Sequence, residues 1–167
     1  LQAAVDAVQG SGTIELTSSI ALSDQVTIDS GKTIILDMNG ETLSIGFSDS
    51  SKNLIVNNGT LTITGDGTFD ATEATSYKGF INNYGTLTVE NGTFQIADKA
   101  MTVHLRNQDG GKAVINGGTF SGGATIVRSF EGSNTTITGG SFTNSVYPAV
   151  DVNGETLITG GIFTNTS

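Results

Sequence analysis

The chain has 167 residues, 16 of them acidic and 7 basic, for a formal net charge of -9. Its length suits one domain with a continuous core, and its acidic balance repels nucleic-acid phosphates and anionic membranes. The absence of cysteine excludes disulfides, thiol catalysis and cysteine-based zinc sites, and no apolar run reaches the roughly 18 residues that a membrane-spanning helix needs.

In chain order, Leu1, Val5 and Val8 fall on one face of a short helix over residues 1–10, which Gly10 can terminate. Such a helix would plug the open end of a coil. The segments TIEL, QVTI, KTIILDM and ETLSI follow, separated by Ser, Asp, Gly and Asn turns, and read as irregular first coils over residues 13–58. From residue 59 to 167 one signature recurs: GTLTITGDGTF ending at Phe69, GTLTVENGTF at Phe94, KAVINGGTF at Phe120, NTTITGGSF at Phe142 and ETLITGGIF at Phe163. The interval of roughly 21 to 26 residues lies in the range of solenoid repeats.

Each cassette reads as a strand with apolar and polar residues alternating. Aligned on the phenylalanines, Ile63, Val89, Ile115, Ile137 and Ile158 form one inward column, and Leu61, Leu87, Ala113, Thr135 and Thr156 another. The outward columns, Thr62, Thr88, Val114, Thr136, Leu157 and Thr64, Glu90, Asn116, Thr138, Thr159, are mostly polar. A second, looser strand precedes each cassette, at Leu54 to Val56, Phe80-Ile81, Met101 to Leu105, Thr125 to Val127 and Ala149 to Val152. Asparagine corners at Asn57-Asn58, Asn82-Asn83, Asn107 and Asn153 can stack as amide ladders.

Asn-Gly pairs also mark hairpins, but a sandwich strand recurs every 8 to 12 residues with a varied core. The same cassette at about twice that interval, with the same residue types in each column, fits identical parallel rungs about 4.8 Å apart. The spacing of leucine-rich repeats is missing. The fold class expected is therefore all-β, a right-handed single-stranded parallel β-helix (solenoid) with a short N-terminal capping helix, occupying residues 1–167 as one domain. Leu1 opens a helical pattern directly and Ser167 follows a full repeat, so the chain reads as a fragment of a longer protein.

LQAAVDAV, TIEL and GKTIILDMNGETLSI, followed by repeated GTLTI-GGTF cassettes, resemble the pectin-lyase-like β-helix superfamily. More narrowly they resemble the β-helical regions of large bacterial surface proteins, over essentially the whole chain. The resemblance implies a fold and not an activity, because such helices serve lyases, hydrolases, tailspikes, adhesins and stalks. In the enzymes it implies catalytic groups projecting outward on neighbouring coils.

The strand at Met101 to Arg106, with Val103 and Leu105 inside, turns Thr102, His104 and Arg106 outward, with Asn82 one coil earlier and Asp151 two coils later. Arg128 lies between. His104, Arg106, Arg128 and Asp151 are the candidates if the protein acts on carbohydrates, with His104 as a general base. The plainer reading makes His104 a surface residue and pairs the arginines with Asp98, Asp109 or Glu131. Glycoside hydrolysis needs two carboxylates flanking one sugar, and no such pair is legible. Tyr77, Tyr84 and Tyr147 are the candidate ligand-binding residues, as rings for sugar stacking.

The single GDGTFD is too little for a tandem calcium array, and the Asn-X-Thr/Ser matches at Asn58, Asn91, Asn134 and Asn165 coincide mainly with turn or cassette residues. The interrupted threonine columns follow from strand propensity without ice binding. No metal site or cofactor is expected. The expected function is a noncatalytic module of an extracellular or bacterial cell-surface protein, an adhesin or stalk whose partners are a glycan or host surface and other domains of the parent chain. The alternative is a carbohydrate-active enzyme, a polysaccharide lyase or glycoside hydrolase.

Overall fold

A computed structural model describes residues 1–49, 51–73, 79–97, 102–144 and 147–166. After helix α1 (Gln2–Ala7) the chain winds as a parallel β-solenoid of about 6 turns. The first coil carries β1 (Ser11–Glu15), β2 (Ile20–Leu22) and β3 (Val26–Ile28), and the second β4 (Thr33–Asp37), β5 (Thr42–Ile45) and β6 (Ile55–Asn57). The third and fourth coils carry β7 (Thr60–Thr64), β8 (Thr68–Ala71), β9 (Ile81–Asn83), β10 (Thr86–Val89), β11 (Thr93–Ile96) and β12 (Val103–Asn107). The fifth and sixth carry β13 (Lys112–Ile115), β14 (Thr119–Ser121), β15 (Thr125–Ser129), β16 (Asn134–Ile137), β17 (Ser141–Asn144) and β18 (Val150–Val152). β19 (Glu155–Ile158) and β20 (Ile162–Asn165) begin another coil.

Every third strand joins the same sheet, giving two sheets of 7 strands and one of 6. Each cassette therefore holds two strands, where the sequence reads as one. The break is the glycine turn between Ile115 and Phe120 and its equivalents. In Gly117-Gly118 and Gly139-Gly140 the first glycine lies against a carbonyl of the preceding coil, Glu90 or Asn116, where a Cβ would overlap the oxygen. The second has φ 96 or 98, in the left-handed region that glycine occupies without steric cost.

The inward columns are those of the sequence. Leu61, Leu87, Ala113 and Thr135 align rung on rung, as do Ile63, Val89, Ile115 and Ile137, and all are buried. Phe69, Phe94, Phe120, Phe142 and Phe163 stack almost parallel with successive centroids 4.6, 4.6, 5.0 and 4.7 Å apart. The first two coils are not irregular. β1, β2 and β3 pair in register with β4, β5 and β6, which continue into the cassette coils. Their aliphatic residues, such as Ile34, Leu36 and Leu43, occupy the same inward columns without the Phe signature.

In the third sheet the amide ladder runs through Asn57, Asn83 and Asn107. Asn57 Nδ2 donates to Asn83 Oδ1 at 2.7 Å, Asn83 Nδ2 to Asn107 Oδ1 at 2.8 Å, and Asn107 Nδ2 to Thr135 Oγ1 at 2.9 Å. Each also donates to corner carbonyls, so the buried amides are well satisfied. Ser129 and Val152 continue this column. Asn153 therefore falls outside the ladder, one residue too far along the chain.

Helix α1 closes the first rung, with Val5 buried and the C-cap two residues before Gly10. The Gln2 side-chain amide both accepts from the Thr27 N–H at 2.7 Å and donates to the Thr27 carbonyl at 3.1 Å, occupying the free edge of β3 as a further strand would. Lys32 Nζ donates to the carbonyls of Val5, Asp6 and Val8 at the end of the helix.

Two stability outcomes follow from this packing. Phe94→Ala, between two stacked rings, lowers stability by about 3–5 kcal/mol, whereas Phe163→Ala on the last rung costs well under half of that, both read by chemical denaturation. Gly139→Ala forces adjacent coils apart and costs about 1–3 kcal/mol in the same assay.

Candidate functional site

The site residues lie on and beside the third sheet. This strand path bends, placing two consecutive residues inward on the second to fifth coils: Leu54-Ile55, Phe80-Ile81, His104-Leu105 and Ile126-Val127 are all buried. Strict alternation fails there, which corrects the expected facing of Thr102 and His104. Both are only 1% exposed. The imidazole packs 5.5 Å from the Phe80 ring and 5.9 Å from Phe120, and its Nε2 lies 3.1 Å from the Gly122 carbonyl. A carbonyl only accepts, so Nε2 carries the proton. Nδ1 is buried and has no hydrogen-bond partner among the described residues.

Burial lowers the His104 pKa to about 4, against the opposing pull of the Gly122 and Ser121 backbone. His104 is thus a neutral core residue and not an outward general base. An unfolded imidazole takes up its proton below about pH 6.5. Between that pH and about 4 the unfolded chain binds more protons, so stability falls as the pH drops through this window. His104→Leu removes up to about 3 kcal/mol of that acid sensitivity, measured as the difference in unfolding free energy between neutral and mildly acidic buffer.

The remaining candidates form one outward column. Asn82, Arg106, Arg128 and Asp151 are direct neighbours on successive coils. Arg128 Nε donates to Asp151 Oδ2 at 2.8 Å, so its carboxylate partner is neither Asp109 nor Glu131. Asp98 lies outside the described residues. The Arg106 guanidinium sits 5.5 Å above the Phe130 ring, and desolvation followed by repulsion from Arg128 lowers its pKa. The two arginines introduce a local positive row into an acidic protein.

Two open hollows flank the row. One, of about 270 Å³, is lined by Asn53, Asn82, Tyr84, Arg106 and Gln108. Gln108 donates to Asn82 Oδ1, and Asn82 Nδ2 donates to Tyr84 Oη at 3.2 Å, which fixes the ring. The other, of about 350 Å³, is lined by Val103, Ala124, Thr125, Arg128, Tyr147, Pro148 and Asp151. Tyr84 and Tyr147 are each 47% exposed. Tyr77 lies outside the described residues.

The structure thus joins Arg106, Arg128, Asp151, Tyr84 and Tyr147 on one face and separates His104 from them. Sequence reasoning missed Asn53, Gln108, Phe130 and Pro148. Aligning the coils on the asparagine ladder finds two of these, because Tyr84, Gln108 and Phe130 each follow the ladder position.

Elsewhere, exposed polar residues satisfy one another between coils. Asn116 donates to both Glu90 carboxylate oxygens at 3.1 Å and its Oδ1 accepts from Thr138 Oγ1 at 2.8 Å. Asn91 and Asn134 are likewise engaged by Asp66 and Glu155. Among the described residues no cluster of three or more His, Asp or Glu is placed to hold a metal ion, and no helix is long and apolar enough to cross a membrane. Comparison with protein-family models, curated proteins and solved structures gives no match.

Proposed function

We propose that this chain is a noncatalytic β-helical module, of the pectin-lyase-like kind, from a bacterial secreted or cell-surface protein, and that its third sheet faces a glycan. The observation that carries this reading is the pair of half-exposed rings, Tyr84 and Tyr147, flanking a row of guanidinium, carboxylate and amide groups. Flat rings beside planar hydrogen-bonding groups are the chemistry that sugar rings and their hydroxyls require, and the hollows they line are open. The stacked coils give this face a fixed geometry, as a stalk or adhesin needs.

His104 inside the core leaves the face without the base that the enzymatic reading assigned to it. Arg128 and Asp151 hold one another, an arrangement suited to donating to and accepting from neighbouring hydroxyls.

The test is a screen of neutral and acidic polysaccharides read in parallel for retention and for new reducing or unsaturated ends. Saturable binding without product is expected, with Tyr84→Ala or Tyr147→Ala weakening it by at least about tenfold, the order of a hot-spot truncation. Turnover abolished by Asp151→Asn in a folded protein overturns the noncatalytic reading, and no retention of any polysaccharide overturns the glycan face.

A further inference from the structure

Tyr84 follows β9 on the third coil, and Tyr147 precedes β18 on the sixth, so three inter-coil steps separate them along the axis. At about 4.8 Å per step the rings are about 14 Å apart in that direction alone. They are also displaced along the strands. The register aligns Ile81 with Leu105, Val127 and Val150, so Tyr84 stands beyond one end of the paired segment and Tyr147 beyond the other. The line joining them crosses the sheet diagonally, meeting the fourth coil at Arg106 and the fifth two residues from Arg128. Each hollow is lined by one of these arginines, and Asp151 extends the row towards Tyr147.

We propose that the two hollows are the ends of one trough that takes an internal stretch of an extended glycan chain, laid diagonally over the third to sixth coils, in preference to a monosaccharide or a chain end. This rests on the glycan-facing reading above and adds the size and mode of the ligand. Three features carry it. No single sugar reaches both rings. Both hollows open to solvent beside the stacked sheet. The polar groups beside the rings are fixed in two linked sets, Gln108, Asn82 and Tyr84 at one end and Arg128 with Asp151 at the other.

At the Tyr84 end Asn53 supports the assignment. It is 7% exposed, lines the hollow, and its Oδ1 accepts no hydrogen bond from the described residues. A buried amide oxygen in that state is a ready acceptor for a donor entering the hollow. Once one end of a chain has engaged, capture of the other is intramolecular, so affinity climbs with chain length until both rings are covered and then levels.

The experiment is titration calorimetry with size-graded oligosaccharides of glucan, chitin and hyaluronan, from the disaccharide to the decasaccharide, beside their parent polymers. For a series whose polymer binds, affinity rises by about 100-fold or more between the disaccharide and the spanning length. Tyr84→Ala and Tyr147→Ala each return the decasaccharide to near the disaccharide's affinity, and the double variant adds little, with folding checked by circular dichroism. Equal affinity along the series, or loss confined to one of the two tyrosine variants, overturns the trough while leaving a smaller glycan site intact. Silence of every polymer and oligomer overturns the glycan-facing reading itself.

Discussion

The spacing of adjacent coils governs this molecule. Parallel rungs about 4.8 Å apart leave each inward side chain in contact with its counterparts above and below, so each column favours residues of similar shape and polarity. Phenylalanines then stack with near-parallel rings, aliphatics fill the two columns of the first sheet, and asparagines close an amide ladder at the corner. The same spacing explains the glycine pairs. A backbone turning sharply within reach of the preceding coil's carbonyls has no room for a Cβ at the first position and adopts positive φ at the second. Packing and backbone constraints converge on the GGTF signature, which is why it recurs.

That convergence also decides what is legible in the sequence. The five cassettes, their inward columns and the parallel winding were readable because chain repetition maps directly onto stacking in space. The division of each cassette into two strands was missed although Phe120 stands five residues after Ile115, an odd interval that breaks the period of two and marks the glycine turn. The first two coils lacked the Phe signature and read as irregular, although Leu43 and Ile34 fill the same columns. Alternation misled only in the third sheet, where the path bends and two successive side chains turn inward. His104 was misplaced by that bend, and with it the strongest chemical argument for an enzyme.

The outward column fared better because register is a matter of counting. Asn82, Arg106, Arg128 and Asp151 were named as neighbours from residue spacing and lie on one row. Their partners were not readable, since the Arg128 to Asp151 ion pair and the Arg106 to Phe130 contact depend on side-chain reach across coils. The Tyr84 hollow required knowledge of which residue follows each ladder asparagine. Tertiary stacking thus supplied what local pattern could not, and it moved attention from a lone histidine to a surface of rings, amides and guanidiniums.

The turns of this coil are unequal. Between the first and second strands of a cassette, and between the third strand and the next cassette, the linkers are short and nearly constant, whereas the connection into the third strand ranges from three residues after β14 to a much longer run after β8. This corner is the one whose length varies most from coil to coil, and the strands on either side keep their register whatever that length is. Length variation there leaves the shaft's pitch untouched while reshaping the rim beside the row of arginines. Grafting a peptide epitope or an affinity tag into the long connection between β8 and β9 would therefore decorate that rim at a fixed height, which makes the solenoid a ruler for placing cargo.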